Sequence, residues 1–203
     1  MKIRIDLKII MFLIIFSITN QLRIYLMVMS FCFLHELGHI IMGIVLRMKL
    51  EKIEVLPCGF SSAFSICKGN QNKEYSMKKI MVALAGPVVS FGLALMFQYI
   101  NVSMNIKQEV IYSNILILVF NLMPLYPLDG GRIIKEIIYM KFGNIKAEYI
   151  TNKVSSATII ILTIISSIAV YYFKNVAIFL VCICLWQIIL ESQLKQKIKL
   201  GSI

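Results

Sequence analysis

Hydrophobic and polar positions along this chain fall into long blocks. Six apolar segments stand out, at about 9–19, 22–46, 77–100, 110–128, 154–173 and 176–190. A helix needs roughly 20 mostly apolar residues to cross a bilayer, and most of these blocks approach that length. The first is short, which leaves a tilted, extended or only partly spanning helix open. Between residues 49 and 76 the pattern changes. "KIEVLPCGFSSAFSI" carries β-branched and aromatic residues in partial alternation, broken by Pro57 and Gly59. That pattern predicts short strands or a hairpin.

Composition strengthens the membrane reading. Hydrophobic residues make up 59% of the 203 and charged residues only 15%, against about 45–50% and ~25% in soluble domains. The net charge is +11, yet no basic helix or aromatic platform accompanies it, so nucleic acid is not an expected partner. The basic residues sort by connection instead. Eighteen of them lie before segment one, between two and three, between four and five, or after six. Only Arg23, Lys107 and Lys174 occupy the alternate connections. By the positive-inside rule both termini face the cytoplasm. The expected fold is therefore an all-α polytopic membrane protein of about six transmembrane helices. A short β-hairpin or re-entrant loop would follow helix 2 on the cytoplasmic side. One domain would span residues 1–195, with 196–203 as a short cytoplasmic tail.

Five cysteines, at positions 32, 58, 67, 182 and 184, form no CxxC pair. They read as small buried hydrophobes rather than as a disulfide framework or thiolate zinc site. No small-residue cleavage site follows the basic start "MKIRIDLK".

Polar chemistry interrupts the second apolar block at "FLHELGHIIMG". His35-Glu36-Leu37-Gly38-His39 fits H-E-x-x-H. On a helix, residues four apart share a face, so both imidazoles can reach one metal ion, and Glu36 can stand beside a metal-activated water. The only two histidines of the chain are both here. A hydrogen-bonded polar trio is the competing account, but unpaired ionisable groups are costly in lipid. Gly38 would let a neighbouring helix or a substrate approach closely.

Catalytic zinc commonly takes three protein ligands and keeps one position open. Asp6 and Asp129 are the only aspartates, and Asp129 lies in "FNLMPLYPLDGGR" at the cytoplasmic end of segment four. Pro124 and Pro127 break helical hydrogen bonding there, and Gly130 and Gly131 free the backbone. The expectation is a kinked, buried corner aiming one carboxylate inward. The plainer alternative makes Asp129 the cap of a helix starting near Arg132. His35 and His39 lie roughly 10–15 Å from the cytoplasmic end of their helix at ~1.5 Å per residue. A site within the membrane, reached by water from the cytoplasm, follows.

HELGH on one apolar segment and N-x-x-P-x-x-P-L-D-G-G on another resemble the site-2 protease (M50) family of intramembrane zinc metalloproteases. "LAGPVVSFG", residues 84–92, resembles the family's Gly-Pro segment, with Ser90 where the family often has asparagine. Leu56, Pro57 and Gly59 fit an LPxG loop after the HELGH helix. With the six-segment layout they make the chain most similar to the stage IV sporulation FB-type branch. The resemblance implies zinc held by His35, His39 and Asp129, and Glu36 as general base and later proton donor. It also implies that Asn121 contacts substrate or stabilises the oxyanion; a helix-to-helix hydrogen bond is the alternative for that residue. The implied substrate is a membrane-associated pro-protein such as a pro-sigma factor. Another membrane protein, such as an anti-sigma factor or a signal-peptide remnant, is the alternative, and a membrane-protein regulator is an expected partner. No PDZ insertion or C-terminal cystathionine-β-synthase-type domain is expected. The location would be the bacterial cell membrane or the membrane around a forespore. Rival readings are a zincin of another family, whose third ligand would be a glutamate, and a transporter or scaffold that does not cleave.

Overall fold

The computed structural model describes residues 2–5, 7–56, 59–65 and 73–173. The sixth apolar segment, the tail at 196–203, Pro57 and the cysteines at 58, 67, 182 and 184 lie outside these. The described elements run β1 (Lys2–Ile5), α1 (Lys8–Ile18), α2 (Leu22–Val45), β2 (Lys49–Leu56), β3 (Gly59–Ser65), α3 (Lys73–Tyr99), α4 (Met104–Asn121), α5 (Asp129–Phe142) and α6 (Asn144–Phe173). They divide into two compact units, Met1–Asn121 and Leu122–Ile203.

In the first unit, α2 packs against α3 and α4. Phe31, Val110 and Ile117 form a buried cluster, lined by Met27, Val28, Cys32, Leu93 and Phe97. Phe31 meets Phe97 edge-on at 6.4 Å, a favoured aromatic geometry. Helix α1 docks on α2 through Phe16, stacked on Tyr25 at 4.7 Å between ring centroids. Both helices end through a residue in left-handed conformation, Asn20 and Arg47 at φ 55°. The Gln21 N–H reaches the Phe16 carbonyl and the Met48 N–H reaches the Gly43 carbonyl, each at 2.9 Å. These bonds close the helix ends in the manner of a Schellman motif. The second leads the chain directly from α2 into β2.

Helices dominate the described residues, as the all-α reading expects, and beside the two strands that follow α2 there is a third, β1, that the reading does not include. β1, β2 and β3 form a three-stranded sheet in that order. β1 runs parallel to β2, with Ile3 opposite Ile53. β2 runs antiparallel to β3, with Val55 opposite Phe60 and an irregularity between Leu50 and Lys52. The N-terminal "KIRI" does alternate, but four residues announce a strand only through a partner about fifty positions away. α2 packs against β2 and β3, and the Phe64 ring lies so close to Gly43 that a Cβ there would overlap it.

α2 and α3 are long and apolar enough to cross a membrane, at 24 and 27 residues, with mean hydropathy 1.7 and 2.2 over an 18-residue stretch of each. At ~1.5 Å per residue each exceeds a hydrocarbon core of about 30 Å. Many of their apolar side chains are exposed, among them Ile41, Ile44, Val88 and Phe91. Solvent exposure on this scale would be costly for a protein in water.

In the second unit, α5 and α6 pack together around the turn at Gly143, where φ is 79°. Lys135 and Glu148 pair across them at 3.6 Å, both largely buried. The fourth apolar segment ends earlier than its composition indicates. α4 stops at Asn121, residues 122–128 are irregular, and α5 begins at Asp129. The two prolines explain the break. The third turn-forming feature is glycine: a Cβ on Gly130 would overlap the Leu122 carbonyl, and one on Gly131 would overlap the Leu125 backbone. The irregular segment finds partners on α6. The Tyr126 N–H donates to Ser155 Oγ at 2.9 Å, and the Thr158 hydroxyl contacts the Pro124 carbonyl at 3.4 Å. Polar backbone removed from a helix is thus satisfied by hydroxyls of a neighbouring one.

Candidate metal centre

His35, Glu36 and His39 are three buried polar residues on one face of α2. Helical spacing brings the imidazoles together, with Nε2 to Nε2 at 3.3 Å and ring planes at 80°. α3 supplies the other side of the site. His39 Nδ1 lies 2.7 Å from the Val82 carbonyl. A carbonyl only accepts, so this bond places the proton on Nδ1 and leaves the Nε2 lone pair facing inward. His35 Nδ1 lies 2.8 Å from Ser90 Oγ, and Ser90 is fully buried.

Gly86 and Pro87 shape the wall between them. A Cβ on Gly86 would sit on His39 Nε2 and 2.6 Å from His35 Nε2, so only glycine leaves this space open. Pro87 lies inside α3 and offers no N–H to the Ala83 carbonyl, which loosens the helix beside Val82. Gly38 serves the close approach expected of it: a Cβ there would lie 2.8 Å from Val89 Cγ2 and 3.0 Å from the Ala85 carbonyl.

These donors fit a metal ion. Two nitrogens each about 2.0–2.1 Å from one tetrahedral zinc are ~3.3–3.4 Å apart, which matches the Nε2 separation. Each ring also uses its second nitrogen in an outer contact, as metal-bound histidines usually do. Glu36 Oε1 is buried without a hydrogen-bond partner among the described residues. An unpartnered carboxylate oxygen on the helix that carries the two imidazoles is costly in a resting core and is suited to receive a proton from a water or a substrate.

The structure brings together His35, Glu36 and His39 in the first unit. Asp129 belongs to the second. It is buried, 4% exposed, in the first turn of α5, with Oδ1 3.9 Å from Arg132 Nη1. It is not the N-cap residue of that helix. Leu128 is the extended N-cap residue, and the Arg132 N–H bonds its carbonyl at 2.9 Å. A carboxylate in the first turn is stabilised there by the helix dipole. Asn121 ends α4, and its Nδ2 donates to the Ile117 carbonyl at 2.9 Å within its own helix. A second N–H of that amide remains for another acceptor. Ser90, Gly86 and the Val82 carbonyl are site groups that motif reading did not assign. Gly86 and Ser90 lie in the Gly-Pro segment at 84–92 that the sequence singles out, but nothing in it tells which group each would touch.

Comparison with known proteins accords with this geometry. Residues 8–126 match the family described as Peptidase M50B-like, and residues 103–164 match Peptidase family M50. A zinc metalloprotease of Methanocaldococcus jannaschii is 31% identical over 137 residues, 64% of this chain and 38% of that protein. Stage IV sporulation protein FB of Bacillus subtilis is 23% identical over 121 residues, 58% of this chain and 41% of that protein. The chain thus spans well under half the length of these curated relatives. The solved site-2 protease from Methanocaldococcus jannaschii superposes with a TM-score of 0.70 at 24% identity, covering 91% of this chain and 87% of that one. The chain has the site-2 protease fold and belongs to the M50B-like peptidase family.

Proposed function

We propose that this protein is an intramembrane zinc metalloprotease that cleaves a membrane-embedded or membrane-associated protein near the cytoplasmic face. The carrying observation is the pair of buried imidazoles with Nε2 atoms 3.3 Å apart, on the same helix as the buried Glu36 Oε1 that has no hydrogen-bond partner among the described residues. The Methanocaldococcus jannaschii relative named as a zinc metalloprotease supports the same metal and reaction class. His35 and His39 are two ligands, and Asp129 is the third. The buried carboxylate of Asp129 and the fixed corner before it support that assignment.

Zinc, when bound, supplies a Lewis acid that polarises the scissile carbonyl and acidifies a water. Glu36 accepts the proton of the attacking water and delivers it to the departing amine. Asn121 offers its remaining N–H to the substrate or to the developing oxyanion. The apolar surroundings exclude bulk water, so these charges act at low dielectric. A helical substrate hides its peptide bonds and must present an extended stretch. Because β2 lies between β1 and β3, an incoming strand would pair along an outer edge of the sheet, and β3 is the edge strand within the loop that follows the HELGH helix. Proline scanning of the substrate flank tests this, and cleavage unchanged by proline at every pairing position would refute it.

The chain crosses the bilayer about six times, with both termini cytoplasmic, in the bacterial cell membrane or the membrane around a forespore. A pro-sigma factor is the favoured substrate, supported by the likeness to stage IV sporulation protein FB. Co-expression with such a substrate tests the function. A shortened product with wild type and none with Glu36→Gln is expected. Equal product from both would refute Glu36 as the base. An uncut substrate beside the wild type would contradict the pro-sigma assignment and favour another membrane substrate or a scaffold.

A further inference from the structure

Helix α6 is longer than the apolar layer of a bilayer. Its 30 residues reach ~45 Å at ~1.5 Å per residue, against about 30 Å of hydrocarbon. The excess lies at its N-terminal end. No charged residue interrupts 154–173, and Ile160, Ile164 and Ile168 on that stretch are each more than half exposed. Toward the N-terminus the surface changes. Every exposed charged residue between 137 and 160 is a lysine, at positions 141, 146 and 153. Glu148 is turned to α5 and paired with Lys135. Aromatic rings sit among these lysines. Lys146 Nζ lies 5.8 Å from the centre of the Phe142 ring and Lys153 Nζ 4.9 Å from that of Tyr149, both within cation–π reach. Phe142, Ile145 and Tyr149 are 56%, 81% and 61% exposed. Exposed apolar groups fastened beside ammonium groups match the interfacial layer of a bilayer, where aromatic rings settle at headgroup level and lysines meet anionic lipid.

We infer that the end of α5 and the first turns of α6 form a binding surface for anionic phospholipid headgroups, with Lys146 and Lys153 as its principal cations and Tyr149 between them as the interfacial ring. By the proposed topology the lipid belongs to the cytoplasmic leaflet, whose surface is negatively charged. The surface is tied to the candidate metal corner through one helix. Lys153 stands two residues before Ser155, whose hydroxyl accepts the Tyr126 N–H, and the Thr158 hydroxyl contacts the Pro124 carbonyl. A headgroup held at residues 146–153 therefore fixes the depth of the turns that hold the irregular segment before Asp129. The inference rests on the membrane placement proposed above, and on neither the metal nor proteolysis.

Native mass spectrometry of the full chain in detergent, titrated with phosphatidylglycerol or with phosphatidylcholine, counts bound lipid and gives its affinity. Phosphatidylglycerol should bind more tightly. The double variant Lys146→Gln, Lys153→Gln should lose about fivefold in that affinity per lysine removed, with phosphatidylcholine binding unmoved, and arginine at both positions should restore it. Lys107→Gln, on the connection before α4, should change nothing. Phosphatidylglycerol should also raise the thermal unfolding temperature of the wild type more than that of the double glutamine variant. Equal affinity for the two lipids, or unchanged phosphatidylglycerol binding in the double glutamine variant, would overturn the inference. An equal loss in Lys107→Gln would overturn the location, since it would mean attraction by overall charge. Displacement of phosphatidylglycerol by inorganic phosphate at equal concentration would overturn the lipid as occupant. A chain that stays dispersed without detergent would overturn the membrane placement and this inference with it, an outcome seen before any lipid is added.

Discussion

Four residues apart on α2, His35 and His39 converge because helical geometry leaves them no other arrangement, and this part of the site is legible in the sequence. What holds the rings is not. Ser90 and Val82 stand 55 and 43 positions away from their histidines, and contacts at that separation have no local signature. Two substitutions separate the roles. Glu36→Gln keeps its size and should retain zinc, while cleavage falls by at least about 10²-fold; metal analysis alongside a cleavage assay checks both halves. Gly86→Ala places a methyl group on the paired Nε2 atoms and should abolish zinc binding, read by competition with a chromogenic chelator. Normal zinc affinity in that variant would mean the metal lies elsewhere.

The elements show why composition alone misplaces boundaries. Residues 122–128 are as apolar as the helix before them, so the fourth block extends through them by hydropathy, whereas the backbone turns at Pro124 and Pro127. β1 escapes notice for the opposite reason, since four alternating residues mean little until β2 is beside them. The glycines give a contrast that tests the corner. Gly131→Ala would overlap the Leu125 backbone, while nothing lies within 4 Å of a Cβ on Gly92 in α3. The first should destabilise the fold strongly. The second should be neutral or stabilise by about 0.5–1 kcal/mol, the usual advantage of alanine over glycine in a helix. Thermal unfolding of both variants in one detergent measures the difference. Ser155→Ala removes the acceptor of the Tyr126 N–H and should cost about 1–3 kcal/mol, read by the same assay.

For the whole molecule, charge asymmetry and hydropathy carry a topology that the two spanning-length helices support only in part. The proposed arrangement places the connection near residue 102 outside the cytoplasm and the turn at Gly143 inside it. Alkaline phosphatase fused after Val102 should therefore be active, and fused after Gly143 inactive; the reverse pattern would invert the molecule. The central claim is one zinc centre built from the HELGH helix and Asp129. Zinc-edge X-ray absorption on the zinc-loaded full chain tests it most directly. The account predicts two imidazole nitrogens at about 2.0–2.1 Å with only oxygen beside them, and loss of one oxygen ligand in Asp129→Ala. A sulfur shell at about 2.3 Å, or a spectrum unchanged by Asp129→Ala, would contradict it.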